Sequence, residues 1–423
     1  MTPTTESVTG PSTDLPATAG PGPETLVAAA WQRYHEAAAG LMREIEASEQ
    51  FRTVPEQRPK AYHAMMESLA MAYNFAVGPR LRRPRIHHNT AWQTDMYTLG
   101  GNGPDFDYRT IFLDGKQSYR LTGNLHDSRL VLGQLSGGLP GSADEKAARN
   151  CDFSKFRIGA EGSFEIFISA TPHEGNWIEL DPAADYQWIL FRPTVDTFDS
   201  RPAEFHIEQL TPEDETRRRA EEFDPAAIAR RIDFATGFLR YMIRDWTLAF
   251  YPRTMRNAGG PNRLFRIGTE ISGEVGSPTA EYVMGTYALA DDECLLLELA
   301  DEPQGVYWGV QVFDVWLRSI DFRNRQSSLN SHQIARDADG RIRLVVASSD
   351  PGIANWLDTD GFDKGQLLLR NYRTSRPSSV DCRVVKLADL GNHLPQTTQR
   401  ISPAEREQTM ERRRAAYLRR HGE

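Results

Sequence analysis

A chain of 423 residues with 49 Lys and Arg against 58 Asp and Glu, a net charge of −9, has room for two or three domains, and its charge argues against general attraction to nucleic acid. Three cysteines, Cys151, Cys294 and Cys382, are too few and too scattered for a disulfide framework or a cysteine-rich zinc site, which fits a reducing cytoplasm. No apolar run approaches the length of a membrane span, so a soluble protein is expected.

Residues 1–24 are rich in Pro, Thr, Ser and Gly and lack both the basic start and the apolar stretch of a signal peptide; disorder is expected there. From Thr25 a helical period brings Trp31, Tyr34, Ala38, Leu41 and Ile45 onto one face. A second helix is predicted over Pro59–Val77, with Tyr62, Met66, Leu69 and Tyr73 as its apolar stripe and Gly78-Pro79 as its stop. That stripe is expected to pack on the sheet that follows; a lid over a pocket is the other reading.

The next segment is the densest in polar and aromatic side chains. It carries Asn89, Trp92, Asp95, Asn102, Asp105, Tyr108 and Arg109 around Gly100-Gly101. Such a loop suits the wall of a ligand site, the alternative being a turn whose Asn and Asp side chains bond their own backbone. His87 and His88 are adjacent and would point to opposite faces of a strand, so no metal is expected.

Strands follow at Gln117–Thr122 and Arg129–Leu132, and then a pattern that occurs twice. Residues 156–193 align with 332–371, matching Gly162 to Gly340, Asn176-Trp177 to Asn355-Trp356, and Arg192 to Arg370. Gly162 precedes Trp177 by 15 residues and Gly340 precedes Trp356 by 16, an offset that suits a loop insertion in a duplicated β-domain. Each copy closes with an alternating strand, 205–210 and 382–387. Between them, Thr211-Pro212-Glu213-Asp214 and Asp224-Pro225 start helices. The second carries Ile228, Ile232, Ala235, Leu239 and Trp246 and is expected to be clamped between the β-domains. Ser402-Pro403-Ala404-Glu405 opens a last helix, whose late arginines are expected to form a solvated basic face.

The run NRQSSLN (Asn324–Asn330) followed by DADGRIRLVVASSDPGIANWLDTDG resembles the family known as domain of unknown function 1214. The likeness covers the second half of the chain; the first half is more loosely similar to the partner family numbered 1254, through Asn102-Gly-Pro-Asp105 and Tyr108. The resemblance implies an architecture and no reaction.

The fold expected is mainly β (α+β): two duplicated β-sandwich or jelly-roll-like domains with N-terminal, central and C-terminal helices. The boundaries are a tail at 1–24, a helical segment at 25–80, β-domains at 81–223 and 253–395, a connecting helix at 224–252 and a C-terminal helix at 396–423. Trp177 and Trp356, and likewise Arg192 and Arg370, recur in both copies and are read as framework. Residues of one copy alone are better functional candidates.

On that logic Asn324, Arg325 and Asn330 join Asn89, Trp92, Asn102 and Arg109 as binding residues, and His332 joins Asp95, Asp105 and Tyr108 as acid or base. The expected site is a cleft between the two β-domains. Phosphate-loop, dinucleotide, nucleophile-elbow and metalloprotease signatures are all absent, so no cofactor is expected. Two functions remain: an enzyme doing acid–base chemistry (lyase, isomerase or hydrolase) on a small hydrophobic or ring-bearing molecule, or a non-catalytic binder of a small molecule or carbohydrate. Partners are a small-molecule ligand or substrate, with neither nucleic acid nor membrane; a homo-oligomer stays open.

Overall fold

The computed structural model describes residues 22–81, 83–88, 97–142, 145–212, 214–268 and 280–421. Most of the expected tail therefore lies outside the described residues, while Gly22 already caps the first helix. The helices are α1 (Pro23–Ala47), α2 (Glu49–Thr53), α3 (Arg58–Ala72), α4 (Glu215–Phe223), α5 (Pro225–Tyr241), α6 (Phe250–Ala258), α7 (Leu390–His393) and α8 (Pro403–His421). None of them is long and apolar enough to cross a membrane.

The first β-unit contains β1 (Arg109–Leu113), β2 (Tyr119–Asn124), β3 (Leu130–Gly137), β4 (Lys146–Asp152), β5 (Ser163–Ser169), β6 (Trp177–Glu179), β7 (Gln187–Thr194) and β8 (Glu204–Gln209). The second contains β9 (Arg263–Ile267), β10 (Ala280–Ala288), β11 (Glu293–Leu299), β12 (Tyr307–Phe313), β13 (Ser328–Asn330), β14 (Ile342–Ala347), β15 (Trp356–Asp358), β16 (Lys364–Tyr372) and β17 (Val380–Lys386). Each unit is a two-sheet sandwich. The inner sheets run β1-β7-β3-β4 and β10-β16-β12-β13, the latter extended by β9, and the outer sheets run β6-β5-β2-β8 and β15-β14-β11-β17. Strand for strand the two orders are the same.

Details inside the units match as well. Trp177 and Trp356 each open a short parallel strand, against β5 and β14 respectively. Their indole Nε1 atoms donate to the carbonyls of Ser169 at 3.1 Å and Ala347 at 3.0 Å. Asn176 bonds the backbone of Arg157 and Glu165, as Asn355 bonds that of Ala335 and Arg343.

Three hydrophobic layers result, with a fourth cluster of Leu296, Val345, Trp356 and Leu390 on the far face of the second outer sheet. Ile111, Leu121, Ile166 and Phe191 fill the first sandwich, and Leu297, Val310, Leu344 and Leu369 fill the second. The third lies between the two inner sheets and the helices, with Phe75, Phe112, Trp188, Phe238, Met284 and Phe313. Inner β7 and β16 are thus covered on both faces and read as nearly unbroken apolar runs, whereas outer β5 alternates between exposed and buried.

α5 is set by its N-cap, where the Asp224 carboxylate accepts from the backbone N–H groups of Ala226 and Ala227 at 3.3 and 3.1 Å. Its Ala235, Phe238 and Leu239 enter the third layer, and α1 packs along it. The first expected stripe holds at Tyr34, Ala38, Leu41 and Ile45 but not at Trp31, which is 58% exposed; the second, Leu69 apart, is corrected. Tyr62 and Met66 of α3 are exposed by 47% and 63%, and Tyr73, in the π-helical turn after it, by 58%. α3 instead buries Ala61, Ala64, Ser68 and Ala72, because its small side chains allow the closest approach of neighbouring helices.

The capping box of α8 forms as expected, with Ser402 N–H donating to Glu405 at 2.8 Å and Glu405 N–H to Ser402 Oγ at 3.3 Å. Its basic face is not simply solvated. Arg406 and Arg413 are buried, donating to the Ile353 and Ser328 carbonyls at 2.6 and 2.8 Å, while Arg420 donates to the Thr197 carbonyl of the first unit at 2.6 Å. α8 therefore stitches both units together.

Trp356 is buried and Trp177 only half-buried. Trp356→Ala is expected to lower unfolding free energy by about 3–5 kcal/mol and Trp177→Ala by clearly less, as measured by urea denaturation.

Candidate ligand-binding cleft

The third layer is not filled throughout. Between the two inner sheets lies a cavity of about 630 Å³, walled on one side by β3 and β7, on the other by β10 and β16, and roofed by Tyr241, Trp246 and Phe250. The roof owes its shape to a π-helical turn over Met242–Leu248. In such a turn residues five apart stand above one another, so Tyr241 and Trp246 meet edge to face at 6.3 Å, and Trp246 stacks on Phe250 at 5.9 Å.

An arginine enters the cavity from each unit, at equivalent positions of equivalent strands. Arg192 on β7 donates to Gln134 Oε1 on β3 at 2.8 Å, and Arg370 on β16 donates to Gln311 Oε1 on β12 at 3.0 Å. Both pairs are the same diagonal, since Arg192 faces Leu132 across the ladder and Arg370 faces Gly309. Arg370 also donates to the Gly101 carbonyl. Among the described residues, no carboxylate lies within ion-pair distance of either guanidinium.

The loop beside them is held rigidly. Buried Glu67 of α3 accepts from Thr98 N, Thr98 Oγ1 and Leu99 N at 3.3, 3.0 and 3.0 Å and from Arg318 at 3.1 Å. Gly100 and Gly101 then turn with φ of 89° and 72°, a left-handed backbone that glycine adopts without strain, and both N–H groups donate to the Leu317 carbonyl. The Asn102 carbonyl accepts from Gln311 Nε2 at 3.0 Å, which fixes Gln311 with its oxygen toward Arg370.

Tyr108, Tyr282 and Tyr372 complete the floor. Burial pushes the Tyr108 phenol up, and the Arg370 and Arg192 guanidiniums pull it part of the way back. Burial, followed by neighbouring Tyr282, holds Tyr372 well above the usual phenol range. Tyr108 and Tyr372 are therefore protonated at neutral pH and can donate.

Of the sequence-derived candidates, Tyr108 lines this cleft. Asn102 supports it from behind. Asn89, Trp92 and Asp95 lie outside the described residues. Asp105 is buried in a seam between the units, its Oδ2 accepting from Tyr307 Oη at 2.8 Å and Asn330 Nδ2 at 3.0 Å; burial raises its pKa, opposed by Arg420. Thus the two segments expected to converge do meet, but in a sealed joint.

The other candidates lie elsewhere. His332 sits beside Asp196 at 3.1 Å and Arg129 at 2.8 Å, in a separate groove with Trp308 and Arg336. Arg325 pairs with Asp360 at 2.9 Å and Asp358 at 3.4 Å, and Asn324 bonds Asp321 at 2.7 Å. Arg109 pairs with Asp107 and borders a third cavity. None of these four lines the cleft. Among the described residues, no three His, Cys, Asp or Glu side chains gather as a metal ion would need.

Arg192 and Arg370, expected as framework, do bond neighbouring strands and a local carbonyl, and both also line the cavity. Equivalent strands of the two units face one cavity, so equivalent residues converge there. The signal was an arginine inside an apolar run, LFRP and LLRN, where a strand covered on both faces offers it only a partner or a polar cavity.

Residues 289–376 match the family model described as "Protein of unknown function (DUF1214)". Among solved structures, the chain is similar to an uncharacterised protein from Burkholderia cenocepacia, at 25% identity over 87% of this chain and 99% of that one, with a TM-score of 0.73. A protein from Vibrio parahaemolyticus aligns at 13% identity over 76% of this chain and 98% of its own, with a TM-score of 0.42. No curated protein matches the chain.

Asp105→Ala strands Tyr307 Oη and an Asn330 N–H, so it is expected to cost about 1–3 kcal/mol in urea unfolding. Asp107 has one oxygen on Arg109 and the other buried without a hydrogen bond, and burial raises its pKa to about 6 despite that arginine. A carboxyl raised in the folded state stabilises at low pH, and that contribution is lost as pH climbs from about 4 through about 6. Its full size is about 3 kcal/mol. In Asp107→Asn the slope of unfolding free energy between pH 4 and 6 is expected to be more positive than in the parent.

Proposed function

With a C-terminal region matched to a family that carries no assigned activity, we propose from the cleft itself that the protein binds a small organic anion with an apolar or ring-bearing body. One observation carries this reading: two arginines from different β-units open onto one cavity with only neutral partners. A guanidinium withdrawn from water is costly unless paired, so such a site favours an anionic guest. Trp188, Leu190, Leu368, Trp246 and Phe250 supply an apolar wall for the rest of the molecule. The three cysteines are free, in keeping with a reducing cytoplasm as its setting.

Chemistry on the bound molecule is the second reading, and Tyr108 favours it. This phenol, protonated and within electrostatic reach of both arginines, is placed to give a proton to an oxygen held between them. The acid–base partners Asp105 and His332 stand outside the cleft, so binding is the primary function proposed and proton donation by Tyr108 its extension.

Matched ligands test the binding reading. 2-Naphthoate is expected to raise the melting temperature and to titrate calorimetrically with one site, and 2-naphthamide, of the same shape without charge, to do neither. Arg370→Gln should weaken naphthoate at least tenfold, about 1.4 kcal/mol. Equal binding of acid and amide would sink the proposal. Tyr108→Phe is expected to retain naphthoate affinity within a few-fold.

A further inference from the structure

The number of uncompensated charges at the cleft says more about its guest than that it is anionic. Arg192 donates to neutral Gln134, and Arg370, itself buried, donates to neutral Gln311 and the Gly101 carbonyl. Both guanidiniums act electrostatically on the same two phenols, Tyr108 and Tyr372, so their charges bear on one region of the cavity rather than on opposite ends. A monocarboxylate brings one charge and two oxygens. It would leave one of the two guanidiniums, half-buried Arg192 or buried Arg370, without a counter-charge.

The remaining groups of the floor point the same way. The guanidinium N–H groups and the phenol hydroxyls are donors, and the neighbouring acceptors are already engaged: Gln134 Oε1 by Arg192, Gln311 Oε1 and the Gly101 carbonyl by Arg370. Glu145 and Lys146 also line the cleft, the carboxylate accepting from Gly141 N at 2.9 Å and the ammonium paired with Asp181, so a head group suited to the arginine floor accepts from several directions and donates to none. A phosphomonoester does so with three terminal oxygens and a charge between about −1.5 and −2 at neutral pH, and two arginine forks match its geometry.

We propose that the head group held between Arg192 and Arg370 is a phosphomonoester dianion, carried on an apolar or aromatic body that lies against Trp188 and Trp246. This assignment rests on the cleft being the binding site, and deepens that reading by naming the head group.

The experiment uses the full chain and compares ligands that share one body: 2-naphthyl phosphate, 2-naphthoate and 2-naphthamide, with inorganic phosphate as the head group alone, each titrated calorimetrically at pH 7.5. The expected result is 2-naphthyl phosphate at least tenfold tighter than 2-naphthoate, inorganic phosphate weaker than either, and no heat from the amide. Lowering the pH to 5, where the phosphate is a monoanion, should erase most of the tenfold preference. Arg192→Gln and Arg370→Gln, checked for parental circular dichroism, should each reduce it to within about threefold.

Naphthoate equal to or tighter than naphthyl phosphate overturns the head-group assignment and leaves the cleft as an anion site. Inorganic phosphate as tight as its naphthyl ester overturns the apolar body and makes the free ion the guest. If no anion binds the parent protein, the cleft reading fails and this one with it. The comparison within the parent needs no variant to fold.

Discussion

The central strands of the two inner sheets, β7 and β16, are covered on both faces, and this double burial governs where polar groups can stand. On one side lies the filling of each unit's own sandwich, and on the other the shared layer built with α1, α3 and α5. A strand so placed has no solvent-facing edge to which a long polar side chain can retreat, so any such residue must be answered locally or open onto a cavity. Most positions are answered. Gln57, fully buried just before α3, answers the ends of two inner strands: its Nε2 donates to Lys364 O, its Oε1 accepts from Val315 N–H and its backbone oxygen accepts from Trp316 Nε1–H. Where Gln134, Arg192, Gln311 and Arg370 come together, the packing stops and the cleft begins.

The joint between the units is polar as well as apolar. Asp105 and the Asp196 carbonyl from the first unit share Asn330 of the second, and Arg420 at the end of α8 reaches back to Thr197 and Pro104. Apolar layers tolerate sliding, whereas a buried network of this kind is satisfied in one relative placement only. The cleft needs that placement, because its two arginines belong to different units and its loop is anchored through Glu67 and Arg318 to a third element.

Much of this architecture is legible in the residues. The alternation of outer β5, the Gly, Asn and Trp marks shared by the two units, the Asp224 cap and the Ser402 box each follow from local chemistry that tertiary context did not override, whereas outer β14 is buried on both faces. What stayed hidden depends on which of two apolar faces packs. Met66 and Met65 are neighbours on α3, one 63% exposed and the other 6%, and the choice was made by the alanine-rich face beside Met65. The cleft was hidden for a related reason. Repetition was read as a mark of framework, but when repeated units face each other, repetition also concentrates like residues in one place. Tyr108 is legible because its loop is conspicuous; Arg192 and Arg370 were hidden in strands that otherwise read as core.

The π-helical turn over Met242–Leu248 ties the length of the chain to the shape of the roof. Such a turn holds one more residue than the α-helix around it, and each residue of an α-helix rotates the chain by about 100°. Removing one amino acid from the turn would let it relax into ordinary helix with Phe250 and the segment after it nearly where they stand, whereas the same deletion in the α-helical stretch before it would swing them by about 100°. The ceiling can thus lose a residue within the turn and keep its outline, but not within α5 before it, where the count of amino acids sets the side on which Trp246 and Phe250 hang.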